Sequence, residues 1–213
     1  MHMYIRALEK VASRYAPSRA LSFDVVHAFV ALQIMENRGR TSRNALCRGL
    51  SLGEGTVKTL VKHLKMHGLV QTSNGGTKMT VKGRGICQGL LSAMPSEMSL
   101  PKCSVALGKF NYAVLVREFG FAIRSGIEQR DAAIRIGAKG ATTLVFNEAK
   151  FVMPSNSQDS LRKDPVVRRM LVAKLNPQEG DVIIIGSADS EKTAELAAKN
   201  AALLTIFSHE KHH

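Results

Sequence analysis

One segment constrains this chain more than any other. Residues 41–82, TSRNALCRGLSLGEGTVKTLVKHLKMHGLVQTSNGGTKMTVK, place two short helical patterns before a hairpin signal. Ser51-Leu52-Gly53-Glu54 has the form of a capping box, in which the Ser51 hydroxyl accepts from the Glu54 N–H and the Glu54 carboxylate accepts from that of Ser51. After it, Val57, Leu60, Val61 and Leu64 recur at i, i+3, i+4 and i+7, one apolar stripe of a helix that Gly68 ends. At about 100° per residue the opposite face carries Gly55, Lys58, Thr59, Lys62 and His63, flanked by Thr56 and Lys65. Such a face is polar and basic.

Any surface helix shows lysine and threonine outwards, so its neighbours decide what this one means. Upstream, Arg43 to Leu50 makes a short helix ending at Gly49, and Val25 to Met35 another, with Val25, Val26, Phe29, Leu32 and Met35 apolar. Downstream, strands at Leu69 to Ser73 and Lys78 to Lys82 flank Asn74-Gly75-Gly76-Thr77, where Asn-Gly tolerates the positive φ of a hairpin turn. Lys78, Lys82 and Arg84 then sit on the hairpin, and Arg43 at the start of the preceding helix. Three helices and a basic hairpin in this order are the pattern of a winged helix-turn-helix, and double-stranded DNA is the partner that pattern predicts.

Charge agrees with that expectation. The formal net charge is +13, and it is uneven: residues 1–100 hold 14 Lys and Arg against 5 Asp and Glu, residues 101–213 hold 16 against 12. Excess positive charge in the helix-turn-helix half suits counterion release from DNA, although a basic surface by itself also suits RNA or an acidic membrane. Cys47, Cys87 and Cys103 are odd in number and isolated, which predicts reduced thiols and a cytoplasmic protein. His63 and His67 stand at the i, i+4 spacing of metal ligands, but one belongs to the outer face and the other to the helix cap, so no metal and no cofactor is expected. The tail His209 to His213 is expected to be a solvated end, and no apolar run approaches the roughly 20 residues of a membrane span.

Residues 3–15 predict an amphipathic helix with Ile5, Leu8, Ala12 and Tyr15 on one side, ending near Ala16-Pro17-Ser18 and serving packing or dimerisation. A further helix is expected from Gly85 to Ala93, and Pro95 and Pro101 then break the pattern. The expected organisation is therefore a DNA-binding domain over 1–94, a linker over 95–104 and an α/β domain over 105–213.

The second half alternates strand and helix signals. Strands are predicted at Tyr112 to Val116, Thr142 to Phe146, Lys150 to Met153 and Asp181 to Ile185; helices at Gly126 to Ile136, from the Asp164-Pro165 cap to Leu175, and at Ser190 to Ile206. This βαββαβ order with a closing helix predicts an α+β chain whose second domain is a ferredoxin-like sandwich, helices on one face, with strand pairing left open. Two segments are candidates for a small-molecule effector. Gly186 to Ser190 lies where a buried strand runs into a helix, which brings Ser187, Asp189 and Ser190 to a helix start, and Arg130 with Asp131 stands beside Ala132-Ala133. Ser and Asp are also common N-caps, and Arg130–Asp131 has an equally simple account as a surface ion pair.

The stretch GEGTVKTLVKHLKMHGLV with its hairpin, followed by GIEQRDAAIRIGAKGATTLVF, a short hairpin ending at Pro154 and GDVIIIGSADSEKTAELAAKNAALLTI, resembles archaeal winged-helix proteins with a C-terminal α/β domain of unknown function, over about residues 20–207. The resemblance implies a transcriptional regulator and leaves its signal unassigned. Together these features predict a homodimeric DNA-binding regulator, in which Thr56, Lys58, Thr59, Lys62, His63 and Lys65 approach bases and nearby phosphates, and Arg43, Lys78, Lys82 and Arg84 hold the backbone. The C-terminal domain is expected to dimerise the protein, sense a metabolite, or do both. Two other classes compete: an enzyme whose C-terminal domain does the chemistry, and a general RNA- or chromatin-binding protein. Neither a Walker loop, a nucleophile elbow nor GxGxxG occurs, so no enzyme is expected.

Overall fold

In the computed structural model, which describes residues 2–13, 21–154 and 156–208, the chain divides into two units, Met1–Ser92 and Ala93–His213. It is a mixed α+β protein with antiparallel sheets. The first unit contains α1 (His2–Val11), α2 (Val25–Arg38), α3 (Arg43–Leu50), α4 (Glu54–Met66), the strands β1 (Val70–Ser73) and β2 (Gly76–Met79), and α5, which spans Val81–Ala93 at the junction. Helix α1 buries Ile5, Leu8 and Val11 and ends four residues before the expected limit at Tyr15; that residue and the Ala16-Pro17-Ser18 break lie outside the described residues.

Local capping differs from the sequence expectation at three places, each with a physical reason. Ser51 does not open α4. It adopts a left-handed conformation (φ 52°) as the C-cap of α3, which runs through Gly49, and α4 begins after Gly53. Its expected partner Glu54 pairs instead with Arg43, at 2.9 Å. In the hairpin the pairs are Ser73 with Gly76 and Thr72 with Thr77, so the turn has two residues, and the positive φ falls on Gly76 (119°) rather than on Asn74 or Gly75. A side chain at Gly76 is forbidden by more than its dihedral, because a Cβ there would stand 2.8 Å from the Thr41 carbonyl. The second strand also stops at Met79. Thr80 caps the next helix, its hydroxyl accepting from the Gly83 N–H at 3.1 Å and donating to the Gly68 carbonyl at 2.6 Å. Lys82 and Arg84 therefore belong to α5 and not to the hairpin.

The second unit holds β3 (Glu97–Leu100), β4 (Phe110–Val116), a 3-10 turn (Gly120–Ala122), α6 (Ile127–Arg135), β5 (Gly140–Asn147), β6 (Lys150–Val152), α7 (Pro165–Leu175), β7 (Val182–Ala188) and α8 (Glu191–Ser208). The sheet order is β3-β4-β7-β5-β6, with every neighbouring pair antiparallel. This departs from a ferredoxin-like sheet, in which the first and third strands of the βαββαβ run lie side by side. Here β7 separates β4 from β5, and β6 is at an edge. The reason is burial: all seven residues of β7 are buried, so the strand is covered on both faces and takes the centre. Helices accordingly lie on both faces. Val167, Leu171 and Leu175 of α7 pack with Ile183, Ile185, Ala113, Leu115 and Phe151, whereas Ala133 of α6 and Ala194 and Ala197 of α8 pack on the face bearing Ala188. Gly186 permits this approach, since a Cβ there would be 2.4 Å from the Ala194 carbonyl oxygen. Residues 95–104, expected as a linker, contain β3, which pairs with β4 from Glu97 opposite Val114 to Leu100 opposite Asn111.

One polar contact inside this sheet overturns a site expectation. Strand β7 continues through Ala188, so Gly186 to Ala188 is not a loop, and Ser187 is 1% exposed. Its hydroxyl donates to Asn111 Oδ1 at 2.8 Å and accepts from the Leu107 N–H at 3.2 Å, while Asn111 Nδ2 donates to the Gly108 carbonyl at 3.2 Å. Ser187 is thus committed to tying the 104–108 segment to the sheet.

Two stability predictions follow from these contacts. Ser187→Ala leaves the Leu107 N–H and Asn111 short of a partner and is expected to cost about 1–3 kcal/mol, read as a lower urea midpoint by far-UV circular dichroism; an unchanged midpoint contradicts this role. At the start of α2, the Asp24 N–H donates to His27 Nδ1 at 3.0 Å, which requires that nitrogen to be unprotonated. Burial lowers the His27 pKa from its ordinary 6.5, with Asp24 opposing. The unfolded chain then takes up the proton first, so the stabilisation present above about pH 6.5 is lost as the pH falls towards the lower folded value. His27→Gln, which keeps an acceptor, is expected to flatten the dependence of stability on pH between 7 and 5.

Candidate nucleic-acid interface

Helix α4 presents the candidate surface, and its rotation is set from the inside. Val57, Leu60 and Leu64 are fully buried, as are Leu46 and Leu50 of α3, which packs on it. Their stripe turns Gly55, Lys58, Lys62 and Lys65 to solvent. Thr59 borders this face, half-buried, with its hydroxyl donating back to the Gly55 carbonyl at 3.0 Å.

His63 is a correction. It is 7% exposed and faces α1, where its Nδ1 lies 2.8 Å from the Val11 carbonyl oxygen, and its ring meets Phe23 edge-on at 5.6 Å. The helical wheel puts it on the outer face because the periodicity of α4 alone does not show on which flank α1, expected from residues 3–15, packs. Thr56 lies on the same flank as His63 and is half-buried. Both leave the set of groups directed outwards.

The hairpin is held against the start of α3 by a backbone bridge. Thr41 N donates to the Thr77 carbonyl at 2.8 Å and Thr77 N to that of Thr41 at 2.9 Å. Arg40 Nη1 donates to the Ser73 Oγ at 3.1 Å, a basic residue beside the hairpin that sequence reasoning passed over because it precedes the helical pattern. Between these elements lies a cleft of about 340 Å³, walled by Ser42, Arg43, Lys58, Val61 and the turn from Ser73 to Gly76. Lys78 is exposed on β2.

The other two basic residues expected on the hairpin stand elsewhere. Lys82 Nζ donates to the His67 carbonyl at 3.0 Å, a cation at the C-terminal end of α4. Arg84 pairs with Glu36 at 3.6 Å. Of the ten residues expected to touch DNA, Arg43, Lys58, Lys62 and Lys65 gather with Lys78 around α4 and the hairpin, Thr59 borders them, and Thr56, His63, Lys82 and Arg84 do not.

In the second unit the effector candidates are all engaged within the chain. Arg130 pairs with its neighbour Asp131 (3.0 Å), Asp189 with Lys139 (2.6 Å), and the Ser190 hydroxyl accepts from the Thr193 N–H (3.1 Å) at the start of α8. They do cluster around the beginning of β5, since Gly140 pairs with Ser187 and a Cβ on Gly140 would lie 3.4 Å from Arg130 Cγ. A buried charge cluster escaped sequence analysis altogether: Lys199 of α8, 2% exposed at its side chain, reaches Glu97 at 2.9 Å and Glu195 at 2.7 Å and lies 5.7 Å from the centre of the Tyr112 ring. Burial acts to raise the Glu195 pKa, but Lys199 and Lys192 outweigh it and hold the carboxyl below its ordinary range. Burial, reinforced by Glu97, pushes the Tyr112 phenol up. Burial also raises the Cys87 thiol to about 12, with Glu36 adding to the effect, which keeps it protonated.

Among the described residues no group of three or more His, Cys, Asp and Glu side chains is gathered to hold a metal, and no helix is long and apolar enough to cross a membrane. The tail His209 to His213, expected as a solvated end, lies outside the described residues.

Comparison with known proteins locates the chain without assigning it an activity. No curated protein matches it. A solved structure of a hypothetical protein from Pyrococcus horikoshii OT3 is similar, with 26% sequence identity, a TM-score of 0.65, and coverage of 84% of this chain and 91% of that one. The expected resemblance to archaeal proteins carrying a domain of unknown function is thereby met at that level: residues 107–206 match the family model of a domain of unknown function, DUF4443.

Proposed function

We propose that this protein is a DNA-binding transcriptional regulator in which α2, α3, α4 and the β1–β2 hairpin form a winged helix-turn-helix. The observation that carries this reading is the face of α4: Lys58, Lys62 and Lys65 are directed outwards beside a cleft whose other walls are the start of α3 and the hairpin. Helix α4 enters the major groove, and Arg43 and Lys78 meet phosphates at its side. The second unit serves dimerisation, effector binding, or both, and a dimer presents two copies of α4 to two half-sites related by two-fold symmetry. An effector acts there only by preferring one arrangement of the dimer over another.

Binding to a genomic DNA library, followed by sequencing of the retained fragments, tests the reading; recovery of one preferred site is expected, and uniform recovery points instead to a general nucleic-acid coat. On the recovered site, Lys62→Ala is expected to cost about 1–3 kcal/mol if it touches a base, and Lys78→Ala to lower the salt slope by about 0.9 for one lost phosphate. Unaltered binding by both variants across a salt titration removes this face as the DNA surface. Light scattering at micromolar concentration is expected to give the mass of two chains, and a monomer with and without DNA contradicts the dimer.

A further inference from the structure

A second basic groove lies on the opposite flank of α4 from the hairpin. Around the helix, Val61 and Lys58 turn towards the hairpin cleft, whereas His63 and His67 turn towards α1. The groove, of about 350 Å³, is lined by Met3, Arg6 and Lys10 of α1, by His67 and Leu69 after α4, and by Lys82 of α5. Three of these groups are linked. Lys82 Nζ is bound to the His67 carbonyl, and the His67 ring is hydrogen-bonded to the Lys10 backbone. Burial holds His67 below the ordinary imidazole value, and His63, Lys82 and Lys10 push it the same way.

The position of this groove matches a feature of duplex DNA. A helix seated in the major groove has one phosphodiester strand on each side of it. The hairpin cleft lies beside Lys58 near the start of α4 and the α1 groove beside His67 at its end, so the two are diagonally placed. From Lys58 to His67 the helix advances about 13.5 Å at 1.5 Å per residue, so the two grooves are offset along α4 as well as placed on its two flanks.

We infer that the groove formed by α1 and the start of α5 holds the DNA phosphate backbone on the side away from the hairpin, with Arg6, Lys10 and Lys82 as its cations. This rests on the proposed DNA reading of α4 and adds α1 to the interface. The groove acts on charge and register and not on sequence, because phosphates carry no base information.

The test uses the full chain and a fluorescein-labelled 24-base-pair duplex of mixed sequence, titrated by anisotropy over a range of salt. Arg6→Ala/Lys10→Ala is compared with Lys58→Ala on α4 and with Lys163→Ala/Lys174→Ala, which removes the same charge from the second unit. The groove double variant is expected to lower the salt slope by about 1.8, for two lost phosphate contacts, and to weaken binding about ten-fold at low salt, with Lys58→Ala also weakened and the Lys163/Lys174 variant close to the parent. Lys10→Gln, the milder change, is expected to lose about half as much slope as the double variant, with unchanged circular dichroism. If the groove variants bind like the parent while Lys58→Ala is weakened, the groove is not on DNA and the α4 reading stands. Equal losses in the groove and the Lys163/Lys174 variants reduce the effect to net charge and also overturn the inference. If the parent fails to bind the duplex, or Lys58→Ala and the groove variants all bind equally to it, the DNA reading itself falls.

Discussion

The rotation of α4 about its own axis is the constraint on which the candidate interface depends. Three fully buried aliphatic side chains, Val57, Leu60 and Leu64, hold it from below, and full burial of such a side chain is worth about 1.5–3 kcal/mol. The His63–Val11 hydrogen bond and the edge-on contact with Phe23 add a directional hold from the α1 side. A helix turned by one residue would bury a lysine and expose a leucine. The outward position of Lys58, Lys62 and Lys65 is therefore a consequence of the core and not of any contact the lysines make themselves.

The hairpin is positioned by backbone rather than by side chains. The reciprocal Thr41–Thr77 hydrogen bonds add a third strand-like partner to a two-stranded ribbon, and an isolated ribbon of that size is only marginally stable in water. The close approach this needs is available because Gly76 has no side chain. At the other end, Thr80 joins the hairpin to α5 with no intervening loop. That junction brings Lys82 to the end of α4 and so assembles the second basic groove.

The second unit is governed by its central strand. β7 is buried along its whole length, with Ile183 and Ile185 on one face and Gly186 and Ala188 on the other. Large residues meet α7, and small ones admit α8 to close range. Several polar groups in this interior are tied to one another: Asn111 with Ser187, Gln129 with Thr205, and Lys199 with Glu97 and Glu195. Burial without such partners would cost each of them several kcal/mol on the scale of apolar transfer, which explains why Ser187, a ligand-binding candidate in the sequence, is structural here.

Periodicity was enough to find the helices of the first unit, the outer lysines of α4, the hairpin and the start of α7 at Asp164-Pro165, because each is written in local spacing or in one residue's intrinsic preference. It misplaced what depends on a distant partner. Ser51 carries a capping pattern that α3 overrules, His63 is claimed by a helix more than fifty residues earlier, and Ser187 is claimed by Asn111 across the sheet. The strand order was undetermined for the same reason, since βαββαβ fixes a sequence of elements but not which edges meet. Sequence by itself therefore determined most of the elements, though not β3, and the basic character of one surface. Only the tertiary structure decided which faces are available and which polar groups are already occupied, because burial and pairing are properties of residues brought together from far along the chain.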